Sequence, residues 1–241
     1  KLPSHVRQEF QLKFNKYILE GYGATETTPV ASVNVPDAID TGDWKIQVGQ
    51  REGSVGLPLP GTRFKIVDPN TRHELPLGED GMICISGNQV MQGYLEDEDK
   101  TSEVIFEDEG MRWYITGDKG HLTPEGFLFI VDRYSRFAKV GGEMVSLGAV
   151  EEQARNLLPA ESEDDLAAAA VPDARKGEKV IMLVTSDALE ANLREQMVEA
   201  GVSPMMLPSQ VIKVDEIPKL GSGKTDFTAL NKLANEAAAA A

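Results

Sequence analysis

A mixed α+β protein built as two domains is predicted by three features of the chain. It is 241 residues long, above the roughly 100 to 150 residues of a usual domain. From about Gly53 to Arg133, short β-type runs alternate with glycine and proline punctuation. Beyond Arg133 the texture changes to helices interleaved with strands. The boundary is placed at Asp132-Arg133-Tyr134-Ser135, giving a β-rich part over 1–132 and a small α+β domain over 133–241.

Each element has its own signal. Residues 5 to 17 carry Val6, Phe10 and Phe14 at every fourth position, the spacing of one helix face. That character ends at Leu19-Glu20-Gly21. Phe64 to Val67, Met82 to Ile85 and Phe127 to Val131 are rich in apolar, β-branched and aromatic side chains, as strands are. In the second domain the alternating elements are Val150 to Leu158, Leu166 to Val171, Val180 to Thr185, Leu189 to Ala200, Val211 to Val214 and Thr228 to Ala237. The closing alanines favour helix by propensity.

Composition excludes several function classes. Hydrophobic content of 41% with 26% charged residues is ordinary for a globular chain, and no apolar run approaches the ~20 residues of a membrane helix. A formal net charge of −15 disfavours nucleic-acid binding, whose affinity comes from cations neutralising phosphates. The acidic runs Glu96 to Asp99, Glu107 to Glu109 and Glu161 to Asp165 read as solvated turns without calcium-loop spacing. The single cysteine, Cys84, precludes an internal disulfide and fits a reducing cytoplasmic setting. His5, His73 and His121 are scattered and match no metal spacing. The chain opens at Lys1 without a methionine, and is expected to be a piece of something longer.

Three motifs carry chemistry. Pro218-Lys219-Leu220-Gly221-Ser222-Gly223-Lys224 displays a lysine on a glycine-flexible loop suited to a phosphoryl group. It is not a Walker A loop, because Pro218 stands where that motif needs glycine and offers no amide hydrogen. Gly21-Tyr22-Gly23-Ala24-Thr25-Glu26 and Tyr114-Ile115-Thr116-Gly117-Asp118 add a turn, hydroxyls, aromatic faces and two carboxylates. Taken singly, Glu26 also reads as a helix-capping carboxylate, Asp118 as a turn former, Arg133 as a surface ion-pair partner and Gly141-Gly142 as a tight turn.

The order of these motifs, with Gly81 to Gly87, Asp132-Arg133 and Lys139 between them, resembles the adenylate-forming superfamily of acyl-CoA synthetases, luciferases and peptide-synthetase adenylation domains. The segments Phe137 to Leu147 and Leu220 to Phe227 are most similar to one branch, the ligase part of bifunctional acyl-carrier-protein synthetases and 2-acylglycerophosphoethanolamine acyltransferases. The family's upstream phosphate loop has no match before Gly21, so the resemblance implies a C-terminal fragment, inactive alone: the last part of the large adenylate-forming domain plus the whole mobile C-terminal domain.

The resemblance also implies roles. Lys224 is the catalytic lysine of adenylation, with Lys219 nearby. Glu26 holds Mg²⁺, Thr25 bonds phosphate, and Tyr22 lies against adenine, with Gly21 and Gly23 giving close passage to ATP or AMP. Asp118 accepts the ribose hydroxyls, and Arg133 adds a donor. The small domain swings about Ser135, where relatives commonly have Asp or Lys, and Lys139, Gly141 and Gly142 then line the thiol's approach. The substrate implied is a fatty acid, the acceptor acyl carrier protein or alternatively coenzyme A, and a lysophospholipid enters only through a further domain of the parent; the alternative from a different class is a noncatalytic module that docks carrier protein or partner subunits. Carrier docking needs a local positive patch, for which Arg136, Lys139, Arg175, Lys176 and Lys179 are the candidates. The resemblance places the parent on the cytoplasmic side, with attachment to the inner membrane only through other regions.

Overall fold

A computed structural model describes residues 4–40, 42–159, 165–221 and 223–240. Most of the third acidic run, at 161–164, and Ser222 of the lysine loop lie outside the described residues. The fold is mixed α and β, and divides into two compact units, Lys1–Tyr134 and Ser135–Ala241.

The first unit opens with α1 (Ser4–Phe14), shorter than the periodicity predicts. It stops because Asn15 turns to φ 51° and its amide donates to the Gln11 carbonyl at 2.8 Å, a left-handed ending. β1 (Gly21–Tyr22) leads through a 3-10 turn at Thr25–Thr27 to β2 (Ser32–Val33). β3 (Ala38–Ile39) and β4 (Ile46–Gln47) then form a separate hairpin that the sequence did not signal, with Trp44 exposed. β5 (Leu57–Pro58) returns to β2, giving a three-stranded sheet in the order β1-β2-β5.

The larger sheet of this unit holds β6 (Arg63–Val67) and β7 (Gly81–Ser86), followed after α2 (Glu98–Val104) by β8 (Ile105–Asp108), β9 (Met111–Leu122) and β10 (Leu128–Arg133). Its order is β10-β9-β7-β6, with β8 on β9, all antiparallel. Alternation along β7 sends Ile83 and Ile85 to a core with Leu128 and Tyr114, and Cys84 to the opposite side with Val67 and Trp113. Burial pushes the Cys84 thiol up to about 12, so it is packing rather than a nucleophile. Part of the first acidic run is not a solvated turn: the Asp97 side chain accepts from the Lys100 amide at 3.0 Å and caps α2.

In the second unit β11 (Phe137–Val140) and β12 (Glu143–Ser146) form a hairpin, followed by α3 (Leu147–Arg155), β13 (Leu166–Asp173), β14 (Gly177–Val184), α4 (Asp187–Glu199), β15 (Gln210–Lys213) and α5 (Phe227–Ala240). β14 is the hub, pairing antiparallel with β13 and β11 and parallel with β15. One face of the sheet, with Ala168, Val180 and Met182, packs with Val150, Ala154, Leu193 and Met197 from α3 and α4. The other, with Ala167, Ala169, Ile181 and Leu183, packs on Leu230 and Ala234 of α5. The run of four alanines is strand despite its helix propensity, because helices cover both faces and methyl side chains let them come close.

Candidate nucleotide and lysine sites

In the first unit, a bulge brings the motif residues together. Met82 of β7 faces Lys119, but Cys84 faces Ile115, so β9 carries extra residues around Thr116, Gly117 and Asp118. Gly117 takes φ 77°, as a bulge glycine does. Asp118 is therefore not a turn residue but a buried side chain re-aimed by a strand irregularity. Its backbone amide donates to Thr116 Oγ1 at 3.0 Å, and that hydroxyl donates to the Ile83 carbonyl at 2.9 Å.

Asp118 is the centre of a three-residue cluster. The Tyr22 hydroxyl donates to Oδ2, and Arg133 Nε, from the facing position on β10, donates to Oδ1 at 2.9 Å. Burial, then the Asp118 charge and hydrogen bond, hold the Tyr22 phenol far above its ordinary range, so it stays a donor. A carboxylate has about four lone-pair positions. Two of the Asp118 positions are occupied by these donors.

Glu26 has a parallel arrangement. The Tyr94 hydroxyl donates to Glu26 Oε1 at 2.7 Å, and that hydrogen bond, then burial, push the Tyr94 phenol up to about 12. Burial first, and then the Glu26 charge, also raise the Tyr114 phenol. Glu26 does not cap the 3-10 turn: Thr27 Oγ1 does so, accepting from the Ala24 amide at 2.9 Å. Sequence reasoning missed Tyr94, since Gly93-Tyr94 lies 68 positions from Glu26 along the chain and only pairing brings them together. Thr25 is exposed beside this cluster in sequence.

The glycines divide. A Cβ on Gly23 would lie 1.9 Å from the Pro29 carbonyl oxygen, so glycine is demanded there by the chain's own return. Gly21 is under milder pressure, with the Ser32 oxygen at 3.0 Å. Among the described residues no group of three His, Cys, Asp or Glu side chains could hold a metal by itself. Glu26 is one hard oxygen donor, which suits Mg²⁺ when phosphate oxygens and water complete the shell.

The second unit carries the lysines on turns. Gly141 and Gly142, at φ 62° and 94°, make the two-residue turn closing Val140 on Glu143, the positive-φ pair such hairpins require. Lys139 is exposed on β11 just before it, and Ser135 opens the unit. Lys224 is exposed on a second turn, which is closed by Leu220 N to Lys224 O at 2.7 Å, Gly223 N to Leu220 O at 2.8 Å and an isolated bridge between Lys219 and Thr225. Behind it Asp226 Oδ1 accepts from the Thr228 and Ala229 amides at 3.0 and 3.1 Å and starts α5. Of the five proposed patch cations, Lys139, Arg175 and Lys176 are exposed, and the Gly141 amide donates to the Lys176 carbonyl at 2.8 Å, so two adjacent turns carry them. Arg136 does not belong to the patch, since its guanidinium turns inward to the buried Glu151. Lys179 donates to Gln210 at 3.0 Å.

Residues 1–95 match the AMP-binding enzyme family, and residues 161–224 match the AMP-binding enzyme C-terminal domain. The chain is 35% identical over 216 residues to a long-chain-fatty-acid–CoA ligase of Salmonella typhimurium, covering 87% of this chain and 34% of that protein. It thus spans about a third of that relative's length. Similarity to 4-coumarate–CoA ligase 1 of Glycine max is 31% identity over 228 residues, with 92% of this chain and 74% of the relative covered. Among solved structures, ATP-bound MatB from Rhodopseudomonas palustris superposes with a TM-score of 0.76 at 28% identity, covering 95% of this chain and 43% of that one. The matches follow one another in the chain order of a single enzyme type, and one relative is covered over 74% of its length; the chain belongs to the AMP-binding enzyme family.

Proposed function

We propose that the chain is the C-terminal part of an ATP- and Mg²⁺-dependent fatty-acid ligase that forms an acyl-adenylate and passes the acyl group to a thiol. The observation that carries this reading is the buried Asp118 carboxylate, held at both oxygens by Tyr22 and Arg133 yet with lone pairs to spare. Those lone pairs accept the ribose hydroxyls of the nucleotide, and the fixed carboxylate costs little reorganisation when it binds. Glu26, steadied by Tyr94, would hold Mg²⁺, which neutralises phosphate charge when bound.

In the first half-reaction the fatty carboxylate attacks the α-phosphorus of ATP and pyrophosphate leaves. Lys224, exposed on its glycine turn, supplies positive charge to the phosphate oxygens and the attacking carboxylate. In the second, a thiol attacks the acyl carbonyl, AMP leaves, and a thioester forms. Backbone rotation at Ser135 exchanges Lys224 for the Lys139 turn between the two steps, and the room at Gly141 and Gly142, where an added Cβ would meet nothing within 4 Å, admits a phosphopantetheine arm. Thr25 bonds phosphate in the same scheme, and Tyr22 lends its ring face to adenine.

For the acceptor we favour acyl carrier protein, on the motif segments Phe137 to Leu147 and Leu220 to Phe227; the exposed Lys139, Arg175 and Lys176 offer a carrier's acid a local partner despite the chain's net charge. The parent then also acts on a 2-acyl lysophospholipid through a separate domain and works on the cytoplasmic side of the inner membrane. Coenzyme A is the second reading, favoured by the relatives, which are named CoA ligases. The test offers the ligase containing this chain ATP, Mg²⁺ and a long-chain fatty acid, with holo acyl carrier protein and coenzyme A in parallel. Thioester on the carrier alone is expected. Thioester on coenzyme A selects the second reading, and none on either refutes both. The chain by itself is expected to show no fatty-acid-dependent pyrophosphate exchange.

A further inference from the structure

Arg136 follows Ser135 directly and is a partly buried cation with several partners. Nη2 donates to Glu151 Oε1 at 2.5 Å, and the same carboxylate accepts from Arg155 Nη2 at 3.3 Å and from the Ala168 amide at 2.9 Å. Glu151 is thus tied to α3 and β13 and has little freedom to move. Arg136 Nε is buried without a hydrogen-bond partner. Its guanidinium instead lies over the Phe227 ring, 4.2 Å from the centroid, where a cation is attracted to the ring face.

Phe227 begins α5 one residue after Asp226, whose carboxylate caps that helix and whose amide donates to the Pro218 carbonyl at 2.9 Å. That bond closes the base of the turn bearing Lys224. A continuous path therefore runs from the residue after Ser135, through the guanidinium and the Phe227 ring, to the foot of the lysine turn.

We propose that Arg136 is a positioning residue that clasps Phe227 and so fixes the Lys224 turn to the strand following Ser135, making the lysine move with that strand. The inference rests on the reading of Lys224 as the adenylation lysine. Glu151 anchors one end of the guanidinium, and the Phe227 ring covers its face.

Phe227→Leu is the chosen variant, because removing Arg136 takes the shortest ion pair from a buried carboxylate and endangers folding. In the chain itself, hydrogen exchange of the Leu220, Gly223 and Asp226 amides should quicken by about tenfold while the central β14 amides keep their rates. In the ligase containing the chain, fatty-acid-dependent pyrophosphate exchange should fall by about tenfold or more through kcat, with transfer from supplied acyl-adenylate changing less than about twofold. Arg136→Lys, which keeps the charge for Glu151 but loses the flat guanidinium, should reproduce that split. Unchanged turn amides in Phe227→Leu would overturn the proposal, as would equal loss of both half-reactions. Absence of exchange in the unmodified ligase would defeat the fatty-acid reading instead, and the amide result would still decide the clasp.

Discussion

Asp118 is buried with both oxygens engaged by Tyr22 and Arg133, while Lys224 stands exposed at the end of a turn ordered through its backbone. The first unit pre-sets its polar groups by spending phenols and a guanidinium on them. The second leaves Lys139 and Lys224 exposed and orders what lies beneath them: the glycine turn at 141–142 and the Asp226 cap. The difference teaches that the two units expose different links to mutation. In the first, changing a functional side chain disturbs its neighbours; in the second, function and stability separate.

Glu151→Ala tests the second unit's buried support most severely. It leaves Arg136 uncompensated and should cost about 3–5 kcal/mol. Both tryptophans, Trp44 and Trp113, lie in the first unit, so urea unfolding followed by circular dichroism should gain an early transition that tryptophan fluorescence does not see. A coincident shift in both signals would mean that the units unfold as one.

Lys224→Ala comes next and bears on function alone. Adenylation by the parent ligase should fall by about a hundred- to a thousandfold, and thioester formation from supplied acyl-adenylate should survive. The chain's unfolding midpoint should correspond to a change within about 0.5 kcal/mol, as for an exposed side chain. Gly23→Ala is smaller and structural: forcing a Cβ against the Pro29 carbonyl should cost about 1–3 kcal/mol, read as a shift of the fluorescence transition with the second unit untouched.

The smallest effect is alkaline. Tyr94 is raised from 10.0 to about 12 by its bond to Glu26 and then by burial. Its folded value exceeds its unfolded one, so its contribution is complete below the unfolded pKa and is lost as pH rises through the folded one. Tyr94→Phe should therefore flatten the fall of the first unit's unfolding midpoint between about pH 10 and 12. An unchanged slope would remove Tyr94 from the network.

Local signals made much of this legible. Phe64 to Val67, Met82 to Ile85 and Val180 to Thr185 announce their strands by side-chain type, and Asp226 announces the helix it caps. The Asp118 bulge was not legible, since it arises from β9 pairing with β7 in two registers, and Gly117-Asp118 alone looks like a turn. Tyr94 and the inward course of Arg136 were hidden for the same reason: their partners are distant in sequence, and an arginine between Ser135 and Phe137 carries no local sign of a buried partner. The hairpin bearing Trp44 had too few residues per strand for periodicity to show.

The alanine strand β13 has a consequence for how the second unit folds. In the unfolded chain nothing covers either face of Ala167 to Ala170, and the same four residues favour helix. Extended pairing prevails only when partners arrive. β14 is joined to β13 by a tight local turn, so their hairpin can form with little loop-closure cost before α3 and α5 dock on it. The order of events is written into a stretch whose own preference opposes the result, and a bulkier residue there would gain strand propensity while barring the helices that make the strand stable.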